Sequence, residues 1–548
     1  MKEFLRNKII TALKSIIEDF DESSSTYRIV IEKPRIAEHG DLTTNVAMVL
    51  AKKIGKPPRA FAENLISRLE IDKTYIKKIE IAGAGFINFF FTEKYFYERL
   101  KEIIQSGDRF GSSNIGKGLK TQIEFVSANP TGPLTVGHGR GAVLGDTIAN
   151  LLEWTGHNVV REYYFNNAGR QMRVLGDSVR LRYLELLGET VDFPEDYYQG
   201  DYIKDIAQHI IEQYGDSLKN QTDIEFFKQQ AEREIFEDIK KTLKRLDIEF
   251  DVFFNEKSLY DDGSVQDVVN TLKSKNLAYE KDGAIWFKAT ALGGESDKVI
   301  IKSTGEPTYR LPDIAYHRNK FQRGFELIID ILGADHIATY PDVLAGLKAL
   351  GYDEKKVKVL IHQFVTILQN GEIVKMSTRK ANFITLDELI DEAGADVVRY
   401  FFLMRSMDSH LNFDLNLAKN QSEENPVYYL QYAHARIASI LRYAESEGLS
   451  LNESLNLELL DKPEEIQLIK QLEQFPDIVE MCAQSYQPHL LAEYLHDTAG
   501  FFHKFYHLYR VVSEDKLLSS ARTALCIATK TVLKNGLRIL GISAPEKM

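Results

Sequence analysis

The residues best equipped for chemistry fall in two short stretches. One is Thr135-Val136-Gly137-His138; the other is the cationic run Lys375-Met376-Ser377-Thr378-Arg379-Lys380. The first lies where a stiff loop gives way to a helical pattern. Pro130, Gly132 and Pro133 turn the chain, and after Gly139 the apolar residues Leu144, Ile148, Leu151 and Leu152 recur at helical spacing up to a natural stop at Gly156. The start of such a helix offers unpaired N–H groups and the positive end of a dipole, which suits phosphate. Three readings compete. Gly137, Gly139 and Ala142 satisfy a G-x-G-x-x-A dinucleotide fingerprint with Glu162 on a ribose, but eight residues separate Ala128 from Gly137, and that turn should follow its strand almost directly. Alternatively, Thr135 and His138 face ATP phosphates while Gly137 leaves room for the nucleotide against the backbone. The third reading is a glycine-rich turn before a core helix and nothing more.

The elements around these residues decide among them. Gln122 to Ala128 reads as a buried strand bounded by Asn129-Pro130, and Asn158 to Phe165 as the strand after the helix. Thr366 to Lys375 is strand-like on both sides of Asn370-Gly371, a strong type I′ hairpin signal, and its second strand runs into the cationic loop. A T-x-G-H element in one half of an α/β sheet and a KMS loop after the other half resemble the class I aminoacyl-tRNA synthetases. EFVSANPTGPLTVGHGRGA, YRLPDIAYH, LGADH, KMSTRK and NPVYYLQYAHARI narrow the resemblance to arginyl-tRNA synthetases, and with HGDLTTNVAMVLAKKIGKPPRAFAENL and IAGAGFINFFF the match spans most of the chain.

Composition is compatible with this. The chain has 548 residues, enough for three or four domains, with 44% hydrophobic and 27% charged residues. No apolar run reaches the length of a membrane span, and the N-terminus continues into an amphipathic helix, so a cytoplasmic protein is expected. Cys482 and Cys526 lack metal-ligand spacing and read as buried thiols. A net charge of -12 disfavours indiscriminate nucleic-acid binding but not a large RNA held by local clusters such as Lys52, Lys53, Lys56 and Arg59.

The expected fold is multidomain α/β: a doubly wound, Rossmann-like catalytic domain with an α+β N-terminal domain and an all-helical C-terminal domain. Residues 1–110 form the first, with Leu5, Ile9, Leu13, Ile16 and Phe20 on one helix face, a strand over 27–31, helices over 42–53 and from Pro58 to Leu69, a strand pair over 75–81 and 85–91, and a helix from Glu93. The catalytic domain takes 119–172 and 298–390, interrupted by a mostly helical, charged insertion at 173–297 that carries no catalytic signature; its sheet resumes with a strand over 298–302. Strands over 326–332 and 358–362 flank a helix from Tyr340. Residues 385–404 read as a helix, 391–420 as a connecting segment and 421–548 as all helix, without a convincing strand.

The resemblance implies an ATP-dependent ligation of L-arginine to tRNA(Arg) through an arginyl adenylate, releasing pyrophosphate and then AMP. It assigns catalysis to Thr135, His138, Lys375, Ser377 and Arg379; ATP to Gly137, His138, Asp335, His336 and Met376; and arginine to Glu124, Ser127, Asn129, Tyr309 and Asp313. The two acids are apt, because a guanidinium offers five fixed donors to carboxylates. It assigns tRNA contacts to Phe86 and Asn88 in the N-terminal domain, which grips the tRNA elbow, and to Tyr432, Arg436 and Met548 in the anticodon-binding domain. ATP as its magnesium complex is a substrate; no tightly bound cofactor, bound metal or membrane is expected, and the enzyme should act as a monomer. One departure stands out: where most class I loops read KMSKS, Thr378 replaces the second lysine, and the lysine that some arginine enzymes carry before the T-x-G-H element is Gly132 here. Other nucleotidylyltransferases would not need the two flanking domains, a non-catalytic relative would be expected to lose His138 or the loop, and a cysteine enzyme would show zinc ligands.

Overall fold

The computed structural model describes the chain apart from residues 19, 22–28, 35, 375–383 and 450–454. By their contacts the described residues form two compact units, one of Met1–Gly107, Ile437–Gln474 and Phe501–Val532, the other of Asp108–Arg436, Phe475–Gly500 and Leu533–Met548. No helix among them is long and apolar enough to cross a membrane.

The first unit begins with α1 (Lys2–Lys14), which buries Leu5, Ile9 and Leu13; Ile16 and Phe20 fall beyond its end. Strands β1 (Ile31–Glu32), β2 (Leu42–Thr44), β3 (Ile76–Ala82) and β4 (Phe86–Phe91) form an antiparallel sheet in the order β1-β2-β4-β3. Helices α2 (Val46–Ile54), α3 (Pro58–Ile66) and α4 (Glu93–Ser106) complete the N-terminal part. Three readings are corrected here. The strand placed over 27–31 is Ile31–Glu32, with Tyr27 outside the described residues, and the helix from Pro58 stops at Ile66 rather than Leu69. The helix over 42–53 starts only at Val46, because Leu42, Thr43 and Thr44 pair with Phe89, Asn88 and Ile87: a partner strand and two β-branched residues outweigh helical periodicity.

The second unit is built on a five-stranded parallel sheet in the order β12-β11-β5-β6-β7, comprising β5 (Lys120–Glu124), β6 (Asn158–Phe165), β7 (Val252–Asn255), β11 (Leu327–Gly333) and β12 (Val357–His362). Between β5 and β6 runs α5 (Val136–Trp154); α6 (Gly169–Leu186), α7 (Asp201–Tyr214) and α8 (Glu225–Arg245) lead to β7. After it come the short α9 (Ser258–Asp261), α10 (Ser264–Ser274) and a separate antiparallel sheet of β8 (Ala278–Lys281), β9 (Ala284–Phe287) and β10 (Lys298–Ile301). Helix α11 (Arg310–Gln322) precedes β11, and α12 (Tyr340–Leu350) follows it. The parallel sheet therefore does not resume at Lys298. That strand pairs with Trp286 and Phe287, and the central sheet instead takes its outer strand, β7, from within the stretch read as a mostly helical insertion.

Beyond β12, β13 (Val365–Gln369) and β14 (Glu372–Ile373) form the expected hairpin, with Asn370 and Gly371 at φ 53° and 78°. β13 also pairs in parallel with β15 (Leu411–Asp414), a strand not anticipated after residue 404. Gly394, at φ 83°, splits the helix expected over 385–404 into α13 (Leu386–Ala393) and α14 (Ala395–Leu403). The short α15 (Leu415–Lys419) then leads to α16 (Pro426–Ser446), α17 (Pro463–Leu472), α18 (Phe475–Ser485), α19 (His489–Leu508) and α20 (Lys516–Leu540). In the first unit Lys470 of α17 reaches Asp41 at 2.6 Å. Cys482 and Cys526 are buried free thiols, each pushed by burial up to about 12.

Helix α5 packs so closely that a Cβ at Gly145 would come within 2.2 Å of the Phe125 ring, just beyond β5, and one at Gly139 within 2.5 Å of Leu386 at the start of α13. Its Arg140 is fully buried and donates to the carbonyls of Gln363, Ser406 and Ser409 at 2.7–3.0 Å. Gly145→Ala should therefore force the helix off Phe125 and cost about 1–3 kcal/mol, read as a lowered thermal unfolding midpoint; an unchanged midpoint would show that the contact relaxes freely.

Candidate functional site

The carboxyl ends of the parallel strands open onto a cavity of about 1050 Å³. It lies where the order reverses between β5 and β11, the place at which doubly wound sheets bind ligands. Ten of the residues singled out from the sequence line it together: Glu124, Ser127, Asn129, Thr135, Gly137, His138, Tyr309, Asp313, Asp335 and His336.

The loop leaving β5 is strained. The expected strand to Ala128 ends at Glu124, and Val126 and Ser127 take φ 66° and 45°, a region that a β-branched residue such as valine rarely enters. That geometry brings the Ser127 hydroxyl back to Glu124 Oε1 at 3.0 Å, while the hydroxyl accepts from the Tyr164 N–H at 3.2 Å. Asn129 Oδ1 accepts from the Asn166 N–H at 3.0 Å.

At the start of α5, Thr135 and His138 cap the helix reciprocally. The Thr135 hydroxyl accepts from the His138 N–H, and His138 Nδ1 accepts from the Thr135 N–H at 3.2 Å. With Nδ1 an acceptor, the neutral ring carries its hydrogen on Nε2. Burial lowers the His138 pKa, against a smaller opposing pull from Asp335, so the ring is a neutral donor. Among the cavity's glycines, Gly137 has open space where a Cβ would stand, with only the Thr135 hydroxyl near at 3.7 Å. The dinucleotide reading fails at Glu162, which is fully buried and taken up by Arg323 at 2.6 and 2.7 Å and the Tyr316 hydroxyl at 2.6 Å.

Acids gather at the other end. Asp313, on the first turn of α11, is pushed up to about 7, chiefly by burial and further by Glu124 and Glu256, against the cations His317 and Lys320. Tyr164, raised far above its ordinary value chiefly by burial and further by Asp313, Glu256 and Glu124, lines the cavity with all three carboxylates. Tyr309 stands at the rim, 87% exposed.

Glu256 was not picked out from the sequence. It follows β7 by one residue and accepts from the Tyr164 hydroxyl at 2.7 Å and Asn166 Nδ2 at 2.8 Å. His362, at the end of β12, and Phe364, 61% exposed, line the cavity as well; burial, with Arg140 nearby, pushes His362 down to about 4. The available signal was positional, since each ends or follows a strand of the parallel sheet; reading 173–297 as mostly helical hid Glu256.

Lys375, Met376, Ser377 and Arg379 lie outside the described residues. The chain on either side of them is placed: Val374 donates to the Ile367 carbonyl at 3.0 Å and Leu386 to the Leu134 carbonyl at 2.8 Å, and Ile384, just after the run, lines the cavity.

The expected RNA-contacting residues are elsewhere. Phe86 is exposed at the start of β4, whereas Asn88 is 3% exposed with Oδ1 accepting from the Thr43 hydroxyl at 2.6 Å. On α16, the Arg436 guanidinium lies 5.1 Å from the Tyr432 ring centre and donates to its hydroxyl. Met548 is exposed, and the tail before it is tied to α16 by Gln431 with Ser543 and His434 with Pro545.

Family models match the same stretches: the arginyl tRNA synthetase N-terminal domain at residues 3–91, the class I (R) tRNA synthetase catalytic domain at 99–406, and the DALR anticodon binding domain at 430–548. The catalytic model covers more than half of the chain. Arginine–tRNA ligases from Desulfotalea psychrophila and Salinibacter ruber are 53% and 50% identical, over 95% and 100% of both chains. The chain belongs to the arginyl-tRNA synthetases. The arginyl-tRNA synthetase structure of Thermus thermophilus, 23% identical, matches in fold over all of both chains with a TM-score of 0.78. In this synthetase, Thr135→Ala removes a helix cap and should cost about 1 kcal/mol, while Thr135→Ser retains it. Denaturation midpoints of the two variants check this; equal midpoints would mean that the hydroxyl does not cap.

Proposed function

We propose that this chain activates L-arginine with ATP and transfers it to tRNA(Arg), and that the cavity at the strand ends is where both steps occur. The observation carrying this reading is one cavity with a neutral histidine donor at a helix start and three carboxylates at the other end. One end suits a triphosphate, the other a guanidinium.

In the first step a carboxylate oxygen of arginine attacks the α-phosphorus of magnesium-bound ATP, the bond to the bridging oxygen breaks, and pyrophosphate leaves. Positioning and charge stabilisation do most of the work. His138 Nε2–H donates to phosphate oxygens as charge builds, and Gly137 lets the nucleotide lie against the backbone. Asp335 and His336 face the adenosine, with Met376 near the adenine. Lys375 supplies the positive charge that Thr378 cannot, supported by Arg379, and Ser377 completes the loop. Glu124 and Asp313, with Glu256, pair with the guanidinium beside Tyr309, while Ser127 and Asn129 hold the amino acid's backbone groups. Arginine then passes from the adenylate to the 2′-hydroxyl of the terminal adenosine, and AMP leaves. Phe86, supported by Asn88, stacks on an unpaired base at the tRNA elbow through the 1–110 domain, and Tyr432, Arg436 and Met548 meet the anticodon arm through 421–548.

His138→Ala should slow adenylate formation by a factor on the order of 10² or more, with tRNA affinity retained. Pyrophosphate exchange with and without tRNA measures it; exchange at the parent rate would remove His138 from the reaction.

Asp313 yields a second prediction. In the empty pocket it holds a proton up to about pH 7, and a guanidinium must displace that proton. Arginine affinity should rise with pH by up to about tenfold per unit below pH 7 and level off above about pH 8. Asp313→Asn should raise the arginine KM about 100-fold, spare the ATP KM and flatten that pH dependence; an unchanged arginine KM would move the pocket elsewhere.

A further inference from the structure

A lysine that solvent does not reach stands behind the acids of the cavity. Lys320 of α11 is fully buried, its Nζ 2.6 Å from Glu124 Oε2 and 2.6 Å from Asp330 Oδ1, and 4.3 Å from the centre of the Tyr316 ring. An ammonium removed from water is tolerated only with such partners, and losing it would strand two buried carboxylates. The contacts continue in both directions. Glu124 Oε1 is held by the Ser127 hydroxyl at 3.0 Å, so both oxygens of this carboxylate are fixed. Asp330 Oδ2 lies 2.8 Å from His317 Nε2, and His317 Nδ1 donates to the Asp313 carbonyl at 2.8 Å. One chain of contacts, Glu124–Lys320–Asp330–His317, thus runs from a cavity acid through the protein interior to the main chain of Asp313 on the first turn of α11.

We propose that Lys320 is a positioning residue that determines amino-acid specificity, by occupying one oxygen of Glu124 with an internal ammonium. This rests on the arginine reading of the cavity. The internal ammonium on one oxygen and the Ser127 hydroxyl on the other fix the plane that Glu124 presents. A planar guanidinium can share that carboxylate edge-on while its other nitrogens reach Asp313 or Glu256. An amino acid ending in an ammonium brings a point charge that competes with Lys320 for the same oxygen. Within α11 the titratable neighbours of Lys320 are Asp313, Tyr316 and His317; from the strands it faces Glu124 and Asp330.

The test compares Lys320→Met, Lys320→Arg and the double variant Lys320→Met with Asp330→Asn. The double variant leaves one buried acid fewer and keeps the test open if the single variant does not fold. Each is measured in tRNA charging for the arginine KM, ATP KM, kcat and discrimination against lysine, between about pH 6 and 9. Both methionine variants should raise the arginine KM at least about tenfold at neutral pH, leave the ATP KM within about twofold, and lose discrimination against lysine. In Lys320→Met a proton should replace the missing ammonium on the carboxylate pair, so the arginine KM should recover as pH rises. Lys320→Arg should restore most of the arginine affinity. A folded methionine variant with the parent arginine KM overturns the proposal, as does a parallel worsening of both KM values and kcat, the sign of a merely structural lysine. If Asp313→Asn also leaves the arginine KM unchanged, the arginine reading of the cavity fails as well; if only the lysine variants do so, the failure is confined to Lys320.

Discussion

The reversal of strand order between β5 and β11 is the constraint on which the rest of the second unit depends. Neighbouring parallel strands whose connections leave in opposite directions cannot both have their carboxyl ends covered, so a crevice opens there. Several residues of the cavity wall use that opening. Glu124 ends β5, Asp335 follows β11, His362 ends β12 and Glu256 follows β7. The helix α5 lies close to the strand ends where side chains are missing, at Gly141 against His362 and at Gly145 against Phe125. Arg140 then ties that helix to the backbone around Gln363 and Ser406 with a buried cation whose pKa burial lowers to about 10.

Collecting acids in one cavity has a cost that the fold meets with buried cations and one proton. Asp330 is held ionised, its pKa lowered because Lys320 and His317 outweigh the burial that opposes it. His317 is raised in turn, Asp330 overcoming its desolvation. Asp313 is raised to about 7, because burial, with Glu124 and Glu256, outweighs the pull of His317 and Lys320. For a carboxyl whose folded pKa lies above the unfolded value of about 3.9, the native state binds the proton more tightly; stability is greatest below that value and falls as pH rises through the window up to about 7. The fold is thus destabilised at Asp313 as pH rises, whereas Glu124 and Asp330 are each paired with Lys320.

Much of this was legible in the sequence, and the rest was hidden for identifiable reasons. The T-x-G-H stretch announced a helix start through local chemistry, since proline, glycine and a capping threonine act within a few residues of one another. Asn370-Gly371 announced its hairpin in the same way. By contrast, β2, β7 and β15 are three- or four-residue strands that exist because a distant strand pairs with them, and nothing in LTT, VFFN or LNFD distinguishes them from loop or helix. The positive φ of Val126 and Ser127 likewise reflects what the loop must carry rather than what those residues prefer. Lys320 fits the α11 pattern as an ordinary polar position; only the structure shows it buried against two acids.

The same accounting explains how the chain's last helix joins the α5 scaffold. The end of α20 leaves carbonyls that no further turn can satisfy. The Arg399 guanidinium takes the Leu540 carbonyl at 2.9 Å and Asn150 the Ile539 carbonyl at 3.1 Å, while Arg399 also holds Asp146 of α5 and the Leu246 carbonyl at 2.6 Å each. Gly541, at φ 68°, has to be glycine for this to occur, because a Cβ there would stand 2.1 Å from Arg399. Arg399 and Asp146 are both buried, so neither can be released to water without leaving a charge unpaired. A displacement of the α20 terminus must therefore break these bonds or carry Asp146 with it, and Asp146 is on the helix that begins with Thr135 and His138. The segment matched by the anticodon binding model thereby ends on the helix that carries the T-x-G-H element, through Asn150 directly and through Arg399 between Leu540 and Asp146.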